Sequence, residues 1–448
     1  MLSRRSFIQG TLAAGASAWA LGGSAQPASD ARPPNVLFII SDDQAWSDYG
    51  FMGHPYIATP RLDRLAHESL CYTRGYASAP LCCPALGTMA TGLHPHQTGI
   101  TCNDPIPVTD NIWEFTPERL AMREEIISVI DRTPTLPRLL GERGGVSMQT
   151  GKWWLGHHRR GGFTHGMTHG DPDRGGRHGD AGLTIGREGL EPIASFLDEA
   201  GDTPFFLWYA PFLPHAPHTP PDRLLQKYLA FTDSEPVAKY WAMCEWFDET
   251  CGELLDLLED RGVADNTLVV YASDNGWIQH PAQANVFAPR SKQTHYEGGI
   301  RTPIMVRWPG RIEPALDTIT PVSIIDMVPT ALAAWGIAPT ADMQGVDLTD
   351  RAATAARGGV CGARYAHTAR DNHDPIANLD ALWTVQGDWK LITPAGSQSA
   401  LETGVELFHV KSDPYELNNL AADCPEQLAA LMDALRGWWP EAAQTADR

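Results

Sequence analysis

Apolar residues fall along this chain in two recurring patterns. Short unbroken runs occur at Val36-Leu37-Phe38-Ile39-Ile40, Phe205-Phe206-Leu207-Trp208-Tyr209 and Leu268-Val269-Val270-Tyr271. A strand reads this way when both of its faces are covered, as in a parallel sheet beneath helices. Between the runs the spacing is helical. From Val237 to Asp260 the apolar Tyr240, Met243, Phe247, Leu254, Leu257 and Leu258 recur every three, four or seven residues, one stripe on a helix. Thr135-Leu136-Pro137-Arg138-Leu139-Leu140 predicts a shorter helix, with Pro137 in its first turn and Gly144-Gly145 closing the segment. Strands alternating with helices predict an α/β fold built on a large, mostly parallel sheet flanked by helices.

After Asp347-Leu348 the texture changes. Trp383-Thr384-Val385 and Trp389-Lys390-Leu391-Ile392 predict a hairpin around Gln386-Gly387-Asp388, and Glu406-Leu407-Phe408 a further strand. A helix is expected from Pro425 to Trp438. The chain therefore divides into an α/β domain over 33–355 and a small C-terminal α+β domain with a short antiparallel sheet over 356–448.

The first residues form a unit of another kind. Ser3-Arg4-Arg5-Ser6-Phe7-Ile8 precedes an Ala/Gly-rich apolar stretch from Thr11 to Leu21, and Gly23-Ser24-Ala25 offers a small-residue cleavage site. The apolar stretch is too short to span a bilayer. Residues 1–25 read as a removable signal peptide, and the arginine pair resembles a twin-arginine export signal. The expected location is the periplasm or the medium, without stable membrane insertion.

A formal net charge of -20 opposes binding to nucleic acid, yet leaves room for a small basic pocket that takes an anion. Eight cysteines in 448 residues are too scattered for a disulfide framework, and Cys244 and Cys251, on one predicted helix, are left unpaired.

Two of the apolar strands end in polar clusters: Ser41-Asp42-Asp43 and Ser273-Asp274-Asn275-Gly276. Ligands of open α/β sheets bind beyond the carboxyl ends of the strands. A single acidic cluster there is accounted for by a helix cap or a turn. Two on one sheet point to a shared cation. Oxygen donors without thiolate or imidazole suit Ca²⁺ or Mg²⁺.

Cys82-Cys83-Pro84-Ala85-Leu86-Gly87, running on to Thr91-Gly92, resembles the signature of the sulfatase family, Cys-x-Pro-Ser-Arg followed by a short helix and Thr-Gly. Five further motifs agree in order. They are Asp42-Asp43 with Asp274-Asn275-Gly276, Gly151-Lys152-Trp153, Pro214-His215-Ala216-Pro217, Lys292 with Tyr296-Glu297-Gly298-Gly299, and the tail motifs from Trp389-Lys390 to Asp413-Pro414-Tyr415-Glu416. The resemblance implies a sulfuric ester hydrolase of the alkaline phosphatase superfamily. It implies Ca²⁺ held by Asp42, Asp43, Asp274, Asn275 and the modified Cys82, and formylglycine derived from Cys82 by a formylglycine-generating or equivalent maturation enzyme. Lys152 and Lys292 would grip sulfate, Asp274 would accept a proton from the formylglycine gem-diol, and His215 or Lys292 would protonate the leaving alcohol. The implied substrate is a sulfated small molecule or carbohydrate.

Three positions depart from the family pattern: Ala85 for serine, Leu86 for arginine and Trp154 for histidine. Groups to replace them are sought in the Gly-rich stretch that holds His157, His158, Arg159, Arg160, His165, His169, Arg174, Arg177 and His178, read as a lid over an anionic substrate or as a solvated loop. A zinc site from His165 and His169 is disfavoured, because the stretch is not helical. Trp153, Trp154 and Trp277 are expected on an exposed rim. Two other readings stay open: a phosphate or phosphonate ester hydrolase on the same scaffold, and a sulfoglycan-binding protein in which Cys82 remains a thiol.

Overall fold

The computed structural model describes residues 32–111, 114–396, 399 and 404–446. The export signal read at 1–25 lies outside them. Residues 33–448 form one compact unit. Among the described residues no helix is long and apolar enough to cross a membrane.

The main sheet has nine strands: β1 (Asn35–Ser41), β2 (Leu70–Tyr76), β3 (Val146–Gly151), β4 (His165–Gly166), β5 (Phe205–Ala210), β6 (Thr267–Ser273), β7 (Arg301–Arg307), β8 (Ala315–Asp317) and β9 (Val322–Ser323). They run in the order β4-β3-β5-β1-β6-β7-β2-β8, with β9 also beside β2. All pairings are parallel except those of β7, which is antiparallel to both β6 and β2. The apolar runs alternate between two cores. Val36, Phe38 and Ile40 of β1 join one cluster, whereas Leu37 and Ile39 join the other. Both faces are thus covered, which is why these strands show no polar alternation.

The long helix Glu235–Asp260 starts two residues before the predicted segment, because Ser234 caps it by accepting from Val237 N at 3.3 Å. The short helix spans Leu136–Gly141. All eight cysteines are free, and Cys244 and Cys251 are buried along the long helix.

The second sheet is antiparallel, in the order β10 (Val360–Tyr365), β11 (Leu379–Gln386), β12 (Trp389–Pro394), β13 (Glu406–His409). The predicted hairpin is β11–β12, closed by Gly387-Asp388, and the last predicted helix is Pro425–Trp438. Strand β10 has no counterpart in the sequence reading, since Val360-Cys361-Gly362-Ala363-Arg364-Tyr365 lacks a strong apolar rhythm. This sheet shares apolar clusters with Tyr76 of β2 and with Ala79, Leu81 and Ile300 in the segments adjoining the larger sheet. A buried ion cluster adds to them: Lys390 Nζ lies 3.1 Å from Glu297 and 2.8 Å from Glu416.

Candidate active site at the carboxyl edge of the sheet

Register alone brings four of the predicted residues together. Ser41 of β1 pairs with Ser273 of β6, so Asp42-Asp43 and Asp274-Asn275 leave the sheet side by side. Gly151 of β3 pairs with Ala210 of β5, so Lys152 emerges at the same edge. Gly151 has φ 76°, and a Cβ there would lie 1.9 Å from Ala210 O, so only glycine lets β3 end in this way. The antiparallel β7 enters from this edge, which delivers Lys292 from the loop just upstream of it. Asp43 is held at φ 65° by accepted hydrogen bonds and by donation of its own N–H to Asp274 Oδ1 at 3.1 Å. Left-handed backbone in a non-glycine residue is a strain that persists only where the surroundings impose it.

Lys152 Nζ reaches Asp42 Oδ1 at 2.5 Å and Asp274 Oδ2 at 3.7 Å. Lys292 Nζ reaches Asp43 Oδ2 at 2.6 Å and His215 Nε2 at 3.4 Å. Asn275 Nδ2 donates to Asp43 Oδ1 at 2.6 Å. His215 Nδ1 lies 2.5 Å from Ala216 O, so it carries the hydrogen and Nε2 is left as the acceptor towards Lys292. Cys82 opens the buried helix Cys82–Thr91, and ligand atoms of Asp42, Asp43, Cys82 and His215 lie within 4.8 Å of one another. Cys83 differs: its N–H donates to Asn103 Oδ1 at 3.0 Å, and its charged neighbours are Arg123, Asp104 and Arg177 ahead of Lys152.

The cluster is short of positive charge. Burial pushes the Asp42 carboxyl well above the usual carboxylate range, and Lys152 pulls it back only in part. Burial also raises Asp274. Burial opposes the Lys152 ammonium, yet Asp42 and its neighbours hold its pKa well up, and Lys292 is raised in the same way by Asp43. Asp42 Oδ2, Asp274 Oδ2 and Asn275 Oδ1 are buried and accept no hydrogen bond among the described residues. Buried oxygens without a donor are costly unless something cationic meets them. Three such atoms, all oxygen and all from the predicted donor set, fit a hard divalent cation.

Several expectations are corrected. Trp153, Trp154 and Trp277 are 0%, 1% and 4% exposed, so the tryptophan rim does not exist. Trp153 packs on Phe163 and Trp208, Trp277 on Phe287 and His218, because the strand ends that carry them lie inside the fold. Trp154 lies beneath Arg177, whose Cζ is 4.6 Å from its ring, and Lys152 Nζ is 5.9 Å away. Leu86 is fully buried in the apolar core, where an arginine would lack water. The Gly-rich stretch is not a uniform loop: it holds β4 and short 3-10 turns at His158–Gly161, Pro172–Arg174 and Asp180–Thr184.

Other residues at the site escaped the sequence reading or appeared there only within a long stretch. His178 stands against Trp154, ring centroids 4.8 Å apart, and 6.2 Å from His215. Burial and then Arg177 push its pKa down to about 2. Asp104, buried, is paired with Arg177. Asn103 accepts the Cys83 N–H and contacts His367 at 3.3 Å, which brings the C-terminal segment to the site wall. No spacing rule links residues 73 positions apart such as Asp104 and Arg177.

Comparison with known proteins bears on the whole arrangement. The Sulfatase family model matches residues 34–337, and the model for the N-sulphoglucosamine sulphohydrolase C-terminal region matches 289–437. N-acetylgalactosamine-6-sulfatase of Canis lupus familiaris is 31% identical over 382 residues, 74% of this chain and 67% of its own length. Arylsulfatase A of Homo sapiens is 27% identical over 71% of this chain and 64% of its own. Among solved structures, Ps i-CgsB superposes with TM-score 0.72 at 22% identity, over 91% of this chain and 93% of its own. Fold, ordered motifs and family model agree: the chain belongs to the sulfatase family of sulfuric ester hydrolases.

Proposed function

We propose that the protein hydrolyses sulfate esters of a carbohydrate at a single calcium site, with formylglycine made from Cys82 as its nucleophile. The observation that carries this reading is the buried, cation-deficient cluster of Asp42, Asp43, Asp274 and Asn275 beside Cys82 and two lysines. Three carboxylates against two ammonium groups leave one negative charge; a divalent ion turns the site positive, which suits a singly charged sulfate ester. Calcium held by Asp42, Asp43, Asp274 and Asn275 would supply fixed positive charge for the sulfate oxygens.

The chain's own groups divide the remaining work. Burial pushes the Cys82 thiol up to about 12, against the pull of Lys152 and Lys292, so as a thiol it stays un-ionised and inert near neutrality. Formylglycine at this position would replace it with a hydrated aldehyde, whose hydroxyl is a nucleophile at sulfur. Asp274, whose Oδ2 accepts no hydrogen bond among the described residues, would take that hydroxyl's proton. Lys152 and Lys292 bind non-bridging oxygens and offset the charge that develops on them. Lys292 carries a proton and His215 Nε2 is its acceptor at 3.4 Å, so the pair holds one proton for the departing alcohol. Carbohydrate as substrate class is supported by the relatives: one is named for N-acetylgalactosamine-6-sulfate, and Ps i-CgsB is also solved with k-i-k-neocarrahexaose.

The test is sulfate release from a panel of sulfated saccharides and an aryl sulfate, with an aryl phosphonate as comparison. The protein is matured in its host and supplied with Ca²⁺. Turnover of sulfate esters that Cys82→Ala abolishes is expected. Tight binding of sulfated saccharide without turnover, in protein whose aldehyde is verified, contradicts the proposal.

A further inference from the structure

The Gly-rich stretch builds a second constellation away from the carboxylates. His157, His158 and His169 each present a ligand atom, all within 4.8 Å of one another. Their ring centroids lie 4.3 Å (157 to 158), 5.4 Å (157 to 169) and 5.8 Å (158 to 169) apart. His165, the partner first considered for His169, has turned away: Nδ1 contacts Thr164 at 2.9 Å and Nε2 contacts Glu199 at 3.2 Å.

The place is shaped around these rings. His158 Nδ1 is 3.0 Å from Thr168 O and donates to it, which fixes the tautomer and leaves Nε2 with a free lone pair. A Cβ on Gly166 would lie 2.4 Å from the His158 ring, so the neighbouring strand is glycine where the imidazole passes. A Cβ on Gly170, at φ 77°, would lie 3.1 Å from His157 N, so the turn after His169 is glycine where it passes His157. Asp180 fixes that turn by accepting from His169 N at 2.9 Å and Asp171 N at 2.9 Å. His157 Nδ1 accepts from Arg159 N at 3.2 Å. Burial lowers the pKa of His157, and that of His158 to about 4, which favours the uncharged ring in both. His157 and His169 also line a cavity of about 620 Å³ together with Phe115 and Arg177, which leaves a coordination position open to solvent or a ligand.

We propose that His157, His158 and His169 form a second metal site, for a borderline divalent ion of the Zn²⁺ or Cu²⁺ class. Three imidazole donors without a carboxylate among them select such ions over calcium. The two sites then sort metals by donor type: oxygen at the sheet edge, nitrogen here. Binding at His157 Nε2 moves its proton to Nδ1 and gives up the contact with Arg159 N, the one local cost.

Isothermal titration of untagged full-length protein with Zn²⁺, in saturating Ca²⁺ so that the oxygen site is filled, tests this. His157→Gln and His169→Gln change partly exposed side chains, so folding is expected to survive and is checked by far-UV circular dichroism. One equivalent of Zn²⁺ should bind, with affinity reduced by roughly tenfold or more in each variant. Absence of binding, or a loss in neither variant or in only one, overturns the three-imidazole site.

Discussion

Asp42 and Lys152 show how little the site tolerates. Each is buried, and each is the other's nearest opposite charge at 2.5 Å. Removing the ammonium in Lys152→Ala takes away a preformed positive group aimed at the sulfate oxygens. We expect kcat/KM to fall about a hundredfold to a thousandfold, measured on the best sulfate ester, with a smaller change in KM. The metal claim gives a separate test that needs no turnover. Ca²⁺ added to chelator-treated protein should raise the melting temperature. At a hundred times its dissociation constant it contributes about 2.7 kcal/mol, and Asp274→Asn should lose most of that gain. A melting temperature indifferent to Ca²⁺ contradicts the donor set.

At the scale of elements, the tail motifs acquire a mechanical meaning. Lys390 on β12 sits between Glu297 and Glu416, all three at most 1% exposed by side chain. Glu416 Oε2 also accepts from Glu297 N at 2.6 Å. This cluster joins the small sheet to the turn that follows Lys292. Lys390→Met takes the ammonium from two buried carboxylates, of which Glu297 keeps only Arg301 at 3.5 Å, and should cost about 3–5 kcal/mol in denaturant unfolding. A second element-level device is Asp248 on the long helix, which accepts from Leu62 N at 2.7 Å and Arg61 N at 3.2 Å and so caps the helix Pro60–His67. Burial pushes its pKa up to about 7, against those two N–H groups. A carboxyl with a raised folded pKa contributes stability fully at low pH and loses it as pH rises towards 7. Between pH 5 and pH 8, Asp248→Asn should therefore gain stability relative to the parent. Parallel pH profiles of the two contradict this assignment.

Over the whole molecule, the parts legible in the sequence share one physical basis. Residues that follow buried apolar strands inherit their position from sheet register, so the Asp42 and Asp274 clusters are legible in the sequence as neighbours, whereas Lys152 is reached only through the family resemblance. Gly151 before it is explained only by the structure, where a Cβ would have no room against Ala210 O. Contacts made across long loops left no such trace. The Asp104–Arg177 pair, the approach of His367, the packing of His178 on Trp154 and the convergence of His157, His158 and His169 all depend on how irregular segments fold back. The tryptophans misled for a related reason. An indole after a strand end reads equally as rim or core, and here the second layer covers it.

Hydrolysis on this scaffold turns on Cys82, whose thiol is held un-ionised near neutrality by burial. Leu86 stands where the sulfatase signature has arginine, so conversion of Cys82 is the step to measure first. Mass spectrometry of the tryptic peptide Gly75 to Arg119, from protein made in its native host, decides it. We expect Cys82 to have exchanged its sulfur for an aldehyde or its hydrate while Cys83 remains a thiol. An intact thiol at Cys82 in the mature protein would contradict hydrolysis by this route and leave a site that can only bind.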